Sequence, residues 1–434
     1  MRVFMLGWEF PPFISGGLGT ACYGLTKALD QLGVKVTFVL PKMVDDRYAT
    51  HVKLLTPQAK KRAGGKRITR SHEEELANVR FRSILSPLQA YATPQTYDEQ
   101  IAEYLRLRRE TTTTTEGSGD AGGGRADYAG DMYREVHRYA AMAMELARDE
   151  EFDVVHAHDW MTYPAGIGVA MASGKPLVVH IHSTEFDRSG EHVNQMVYDI
   201  EREGMQRAGK VIAVSHFTRG VVISRYGIPG DKVEVVYNGV ERNGTWSTEP
   251  VTIRREEKIV LFLGRITMQK GPEYFLQSAK KVLDVMDNVK FVMAGSGDLM
   301  YRSVELAAQL GIGHKVLFTG FLRGDDVRRI FRMADLYVMP SVSEPFGIAP
   351  LEALDNDVPV IISKQSGVSE VLRHALKVDF WDVNEMANKI VAVLRYPPLR
   401  MTLRNHGNFE VRKLRWRDAA RNCLRIYEET QVPV

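Results

Sequence analysis

The chain has 434 residues with 57 Lys and Arg against 54 Asp and Glu, a formal net charge of +3. That balance argues against strong nucleic-acid binding. Its 44% hydrophobic content supplies cores for two α/β domains, and no apolar run approaches the roughly 20 residues that cross a bilayer.

Two cysteines, Cys22 and Cys423, cannot build a disulfide framework and fit a reducing cytoplasm. The chain enters an apolar strand directly after Met1-Arg2, which points to a cytoplasmic protein without a signal peptide. Basic residues from Lys60 to Arg70 read as a solvated loop rather than a foot for a membrane.

Residues 3–7 read as a strand. A loop holding Trp8-Glu9-Phe10-Pro11-Pro12 and Gly16-Gly17-Leu18-Gly19 follows, then a helix opened by Thr20 and closed at Gly33, then a strand over 34–40. Strand, glycine loop, helix and strand are the opening of a doubly wound parallel sheet. The pattern over 44–88 is irregular, 97–109 is helical, and the stretch of about 111–126 is a low-complexity insertion. A helix over 133–148 and strands over 153–158, 177–182, 211–214 and 233–237 continue the sheet.

Residues 241–257 read as a polar linker. A second alternation begins with a strand over 259–263 and a helix from 272 to 285. It runs on through strands over 289–294, 316–319, 336–339 and 358–362, with helices between them and a helix over 383–394. The expected organisation is an N-terminal doubly wound domain over 1–243, a second over 244–410, and a segment over 411–434 whose helix crosses back to the first domain.

The stretch around which the chain is organised is Ser343-Glu344-Pro345-Phe346-Gly347, followed by a short helix containing Glu352. Carboxylates at both ends of this turn suit hydroxylated groups, while the amides of Phe346 and Gly347 at a helix N-terminus suit a phosphate. In the second half, Gly264-Arg265 and Lys270-Gly271 follow the first strand, at the sheet edge where open α/β folds bind ligands. Two solvated cations are the plain alternative; beside the Glu344–Glu352 turn, an arginine fork and a lysine that neutralise a departing diphosphate are the better account.

Other chemistries fit less well. A dinucleotide fingerprint starts at Gly17-x-Gly19, but its third glycine position is Cys22 and the next strand ends Leu40-Pro41-Lys42 without a carboxylate for a ribose. The pairs His156/His158 and His180/His182 each share a strand face and suggest a zinc cluster, yet no helical His-Glu-x-x-His accompanies them, so no metal is expected. Gly295-Ser296-Gly297-Asp298 reads as a tight turn. Trp160, Trp246, Trp381 and Trp416 are individually packing residues before they are sugar platforms.

Together, Gly16-Gly17-Leu18-Gly19 after Glu9-Phe10-Pro11-Pro12, His180-Ile181-His182, Asn238-Gly239-Val240, Gly264-Arg265-x4-Lys270-Gly271 and Glu344-x7-Glu352 resemble the retaining glycosyltransferases of GT-B architecture. These are the group 1 or family 4 enzymes and the bacterial glycogen synthases beside them. The resemblance spans nearly the whole chain and implies two Rossmann-like domains. By it, Arg265 and Lys270 bind the donor diphosphate, Glu344 meets hydroxyls of the transferred sugar and Glu352 the ribose. Phe346 and Gly347 line the phosphate and sugar, Gly17 and Gly19 close over the diphosphate, and His182 lies near the anomeric carbon. Asp187 and Arg188 are assigned to the acceptor side.

The expected activity is therefore metal-independent transfer of a hexosyl unit, glucose for preference, from UDP- or ADP-glucose with retained configuration, without a further cofactor. The acceptor is a glycan, as in glucan elongation, or else a lipid, a small sugar or a sugar phosphate. Glycogen synthases commonly carry Lys-x-Gly-Gly-Leu where this chain has Ile14-Ser15-Gly16-Gly17-Leu18. The reading from another class is a non-catalytic glycan- or nucleotide-binding protein on the same fold.

Overall fold

The computed structural model describes residues 1–10, 17–42, 77–85, 132–240 and 257–431. The expectations for 97–109, for the insertion and for the linker through residue 256 lie outside them, as does the boundary at 243. The chain divides into two compact units: Met1–His180 with Asp199–Val211 and Leu424–Val434, and Ile181–Tyr198 with Ile212–Cys423.

Two parallel sheets form the frame. The first has seven strands in the order β3-β2-β1-β4-β5-β6-β7: β1 Arg2–Leu6, β2 Lys35–Lys42, β3 Val79–Leu85, β4 Val154–His158, β5 Leu177–Ile181, β6 Lys210–Ala213 and β7 Val233–Val235. The second has six, in the order β10-β9-β8-β11-β12-β13: β8 Lys258–Leu263, β9 Val289–Ala294, β10 Val316–Gly320, β11 Leu336–Met339, β12 Val360–Ser363 and β13 Leu376–Val378. Each order reverses once, between β1 and β4 and between β8 and β11. At such a switch point the flanking helices leave on opposite faces and open a crevice beyond the strand ends.

The inner strands β8, β9, β11 and β12 of the second sheet bury side chains on both faces, because successive residues point to opposite faces. Val260 and Phe262 join Phe275, Phe291, Met293 and Leu336 in one core, under the helices Pro272–Leu283 and Val383–Arg395. Leu261 faces the other way, with Val292, Tyr337, Leu351 and Ile362. Fully burying an aliphatic or aromatic side chain of this kind contributes about 1.5–3 kcal/mol.

The structure revises several sequence expectations. The first helix runs Gly17–Gln31, so Gly17 and Gly19 are helical rather than in the preceding loop. Glycine costs about 1 kcal/mol relative to alanine inside a helix, which is why the pattern read as a loop. Edge strand β3 lies within the irregular 44–88 stretch. A helix over Pro397–Val411 begins at a Pro-Pro pair that resembles a breaker but occupies the first turn, where a missing N–H is harmless. The last helix spans Trp416–Gln431, and its Tyr427 hydroxyl lies 2.7 Å from His156 Nδ1 within the first unit.

Candidate functional site

The crevice of the second unit is bounded by the loops that follow β8 and β11. The β8 loop is held by backbone packing that only glycine admits. Gly295 has φ +142°, and a Cβ there would lie 1.8 Å from the Gly264 carbonyl oxygen; one on Gly297 would lie 2.3 Å from that of Ile266. The Ile266 amide donates to the Ser296 carbonyl at 2.8 Å. The expected tight turn at Gly295–Gly297 is thus the wedge that fixes the arginine-bearing loop.

Arg265 reaches Gln269 Oε1 at 3.1 Å. Lys270 ends a single 3₁₀ turn, Met268–Lys270, stopped by Gly271 at φ +65°. A Cβ on Gly271 would meet the Pro340 carbonyl at 2.2 Å, and the Val342 amide donates to the Gln269 carbonyl at 2.9 Å. Backbone contact therefore locks the Lys270 turn to the loop after β11. Lys270 Nζ lies 2.5 Å from Glu344 Oε2, with side chains only 20% and 10% exposed. The Ser341 hydroxyl adds a donor to the same oxygen at 3.2 Å.

The turn after Glu344 has its carbonyls tied down one after another. Gly367 N donates to the Glu344 carbonyl at 2.9 Å and Val368 N to that of Phe346 at 2.7 Å. Between them, the Pro345 carbonyl accepts the Ser215 hydroxyl at 2.5 Å and the Thr218 hydroxyl at 3.2 Å. Phe346 is buried, and Gly347 takes φ +103°, a left-handed turn that suits glycine. The helix Ala349–Asp355 starts later than the sequence suggests, at a Pro-containing first turn. Among the described residues, no backbone bond is donated by the amides of Phe346, Gly347 or Ile348. Glu352 sits in that helix, and desolvation followed by the nearby Asp355 charge raises its carboxyl to about 7.

The segment after β5 supplies the neighbours of this turn. His182 keeps a partly exposed edge, yet desolvation pushes its imidazole down to about 3, so the neutral ring prevails at physiological pH. Thr184 and Asp187 form a reciprocal capping box on the helix Glu185–Ser189, which packs against the Met268–Lys270 turn. Asp187 Oδ2 accepts the Thr184 amide and hydroxyl at 2.7 and 2.8 Å, and Oδ1 accepts the Ser343 hydroxyl at 2.5 Å. Arg188 binds Glu185 at 3.0 Å and the Ser183 carbonyl at 3.1 Å. Of the two residues assigned to an acceptor, Asp187 is buried and bonded to the loop that carries Glu344.

The first unit holds the remaining sequence candidates. Gly17 begins the first helix, and the Gly19 amide donates to Glu9 Oε2 at 2.9 Å, so a buried carboxylate fills the anion position of that helix terminus. The histidines regroup: His156, His158 and His180 place ligand atoms within 4.8 Å of one another, while His182 is not in the group. Zinc bonds of about 2.0–2.1 Å need ligand atoms roughly 3.4 Å apart. Here the His156 and His180 rings stack at 7° between planes, which presents faces rather than converging lone pairs. After β4, Asp159 adopts φ 59° and ψ 167°, backbone strain of about 1–3 kcal/mol at a sheet edge.

The model of the glycosyl transferases group 1 family matches residues 247–408, and that of glycosyltransferase family 4 matches 122–243. An uncharacterised glycosyltransferase of Methanocaldococcus jannaschii, MJ1607, is 35% identical over 99% of this chain and 98% of its own length. The chain belongs to the group 1 glycosyltransferases. A glycogen synthase of Mycobacterium tuberculosis is a more distant relative of this glycosyltransferase, 24% identical over 86% of the chain and 80% of that protein. Its fold is GT-B: Anabaena HepE, solved with UDP and glucose, superposes with a TM-score of 0.68 at 16% identity, covering 99% of this chain and 100% of that one.

Sequence reasoning missed several groups that shape the site of this glycosyltransferase. Ser215, Thr218 and Ser341 have no motif of their own, and Ser343 and Gln269 lie inside the two motif stretches without a role assigned to them. Only Ser215 carried a local signal, as the N-cap of the helix His216–Tyr226.

Proposed function

We propose that this glycosyltransferase moves a glucosyl unit from UDP- or ADP-glucose to an acceptor hydroxyl with retained configuration and without a metal or other cofactor. The observation that carries the reading is the Lys270–Glu344 pair, 2.5 Å apart beside the turn at Phe346–Gly347. A donor whose diphosphate takes Lys270 frees the Glu344 carboxylate to accept hydrogen bonds from sugar hydroxyls. The Phe346 and Gly347 amides then line the phosphate and sugar, and Arg265 supplies a second cation. Glu352 accepts from the ribose. Charge developing on the departing diphosphate is met by Arg265 and Lys270, so no metal is required for that task. In this reading the neutral His182 ring or its backbone faces the transferred sugar.

HepE was solved with UDP and glucose, which supports a uridine donor as the first to test. The glycogen synthase relative supports glucan elongation as the first acceptor assay. Ile14 at the place of the glycogen synthases' lysine favours a second reading, in which the acceptor is a lipid, a small sugar or a sugar phosphate. The deciding experiment offers UDP-, ADP- and GDP-sugars with EDTA present, with and without glycogen or maltooligosaccharides. Chain extension supports the glucan reading, donor hydrolysis alone supports the second, and no turnover or binding of any donor overturns both.

A further inference from the structure

Ser215 is completely buried at the start of the helix His216–Tyr226, and its oxygen serves both sides. It accepts the Thr218 amide at 3.0 Å as an N-cap and donates to the Pro345 carbonyl at 2.5 Å. Thr218, also buried, brings its hydroxyl within 3.0 Å of Ser215 Oγ and 3.2 Å of the same carbonyl. Capping alone would require no contact with Pro345.

The approach is made possible by Gly367: a Cβ there would lie 2.2 Å from the Pro345 oxygen and 2.5 Å from Ser215 Cβ. The same helix start is anchored by Glu370, which accepts the amides of His216 at 3.0 Å and Phe217 at 2.6 Å, and the Tyr237 hydroxyl at 2.9 Å.

We propose that the hydroxyls of Ser215 and Thr218 are positioning groups that hold the Pro345 carbonyl, and so fix the Glu344 carboxylate and the Phe346–Gly347 amides for glycosyl transfer. The neighbouring Glu344 and Phe346 carbonyls are held instead by the backbone amides of Gly367 and Val368, at 2.9 and 2.7 Å. Of these three successive carbonyls, that of Pro345 is the one held by side chains. This inference rests on the reading of Glu344 as a donor contact.

The test compares Ser215→Gly with Thr218→Val, the double variant, and Thr218→Ser. Glycine costs an N-cap only a few tenths of a kcal/mol relative to serine, so it removes the donor while largely sparing the helix. Two readouts are taken. Amide hydrogen exchange of the free protein is expected to accelerate about 10-fold over 344–352 in the double variant, with 260–283 unchanged. Transfer from UDP-glucose is expected to lose about 10- to 100-fold in kcat with donor KM within about 3-fold, and Thr218→Ser to stay near wild type.

Exchange that accelerates equally across the second unit, or kcat that survives in the double variant, overturns the inference. If the wild-type protein transfers from none of the donors, the proposed function fails instead. The exchange result in the free protein then decides by itself whether these hydroxyls hold the turn.

Discussion

The ammonium of Lys270 and the carboxylate of Glu344 lie 2.5 Å apart across two loops joined backbone to backbone, by Gly271 against Pro340 and by Val342 bonded to Gln269. The pair is thus poised by the sheet edge rather than by flexible side chains finding each other. Replacing Lys270 by alanine leaves a 10% exposed carboxylate without its cation. We expect Lys270→Ala to lower transfer about 100- to 1000-fold and to destabilise the fold by about 1–3 kcal/mol. Lys270→Ala/Glu344→Ala should be less destabilised than the sum of the single changes, as read by urea melts in a double-mutant cycle.

Glu352 gives a pH dependence of definite sign. Its carboxyl is raised from 4.5 to about 7, first by desolvation and then by Asp355. The folded state therefore holds more protons than the unfolded one between these values, and stability contributed by this group falls as pH rises through the window. Glu352→Gln should raise the melting temperature at pH 8.5 and change it little at pH 4.5. The same variant should weaken donor binding, measured calorimetrically with UDP-glucose, because an amide is a poorer acceptor for ribose hydroxyls than a carboxylate.

His182 acts in the opposite direction. Burial lowers its imidazole from 6.5 to about 3, so the unfolded state binds the proton first and stability is lost as pH falls below about 6.5. His182→Gln should flatten this acid limb in thermal melts between pH 6.5 and 4. An NMR titration of the wild-type ring that shows a midpoint near 6.5 would sink this account.

Gly271 is at φ +65°, and an added Cβ would meet the Pro340 carbonyl at 2.2 Å. Gly271→Ala should cost about 1–3 kcal/mol through backbone strain and reduce kcat as Lys270 shifts from Glu344. A variant with wild-type melting temperature and activity would contradict the close approach.

Asp187 separates two roles. Its oxygens accept from Thr184 and Ser343 at 2.5–2.8 Å, so Asp187→Asn, with one acceptor oxygen fewer, should loosen the Ser343 end of the Glu344 loop. We expect kcat to fall about 10-fold with acceptor KM little changed. A rise confined to acceptor KM would show instead that the carboxylate meets the acceptor.

The sequence by itself determined the two α/β alternations, the sheet-edge positions of Arg265 and Lys270, and the turn between Glu344 and Glu352. These follow from local periodicity, from proline and glycine punctuation and from residue spacing, all written within a few residues. The alternations could not place β3 or the helix from Pro397, where irregular flanks and a Pro-Pro pair mask the pattern. Only the tertiary structure decided that Lys270 pairs with Glu344, 74 residues away, and that Ser215 meets Pro345 across 130. Only it could regroup His180 with His156 and His158, and turn Asp187 and Glu9 into partners of Ser343 and the Gly19 amide. A hydroxyl or carboxylate acquires its role from what lies opposite it. Strand order and the absence of a Cβ at Gly271, Gly295 and Gly367 set that distance, and neither is a property of the residue's own sequence neighbourhood.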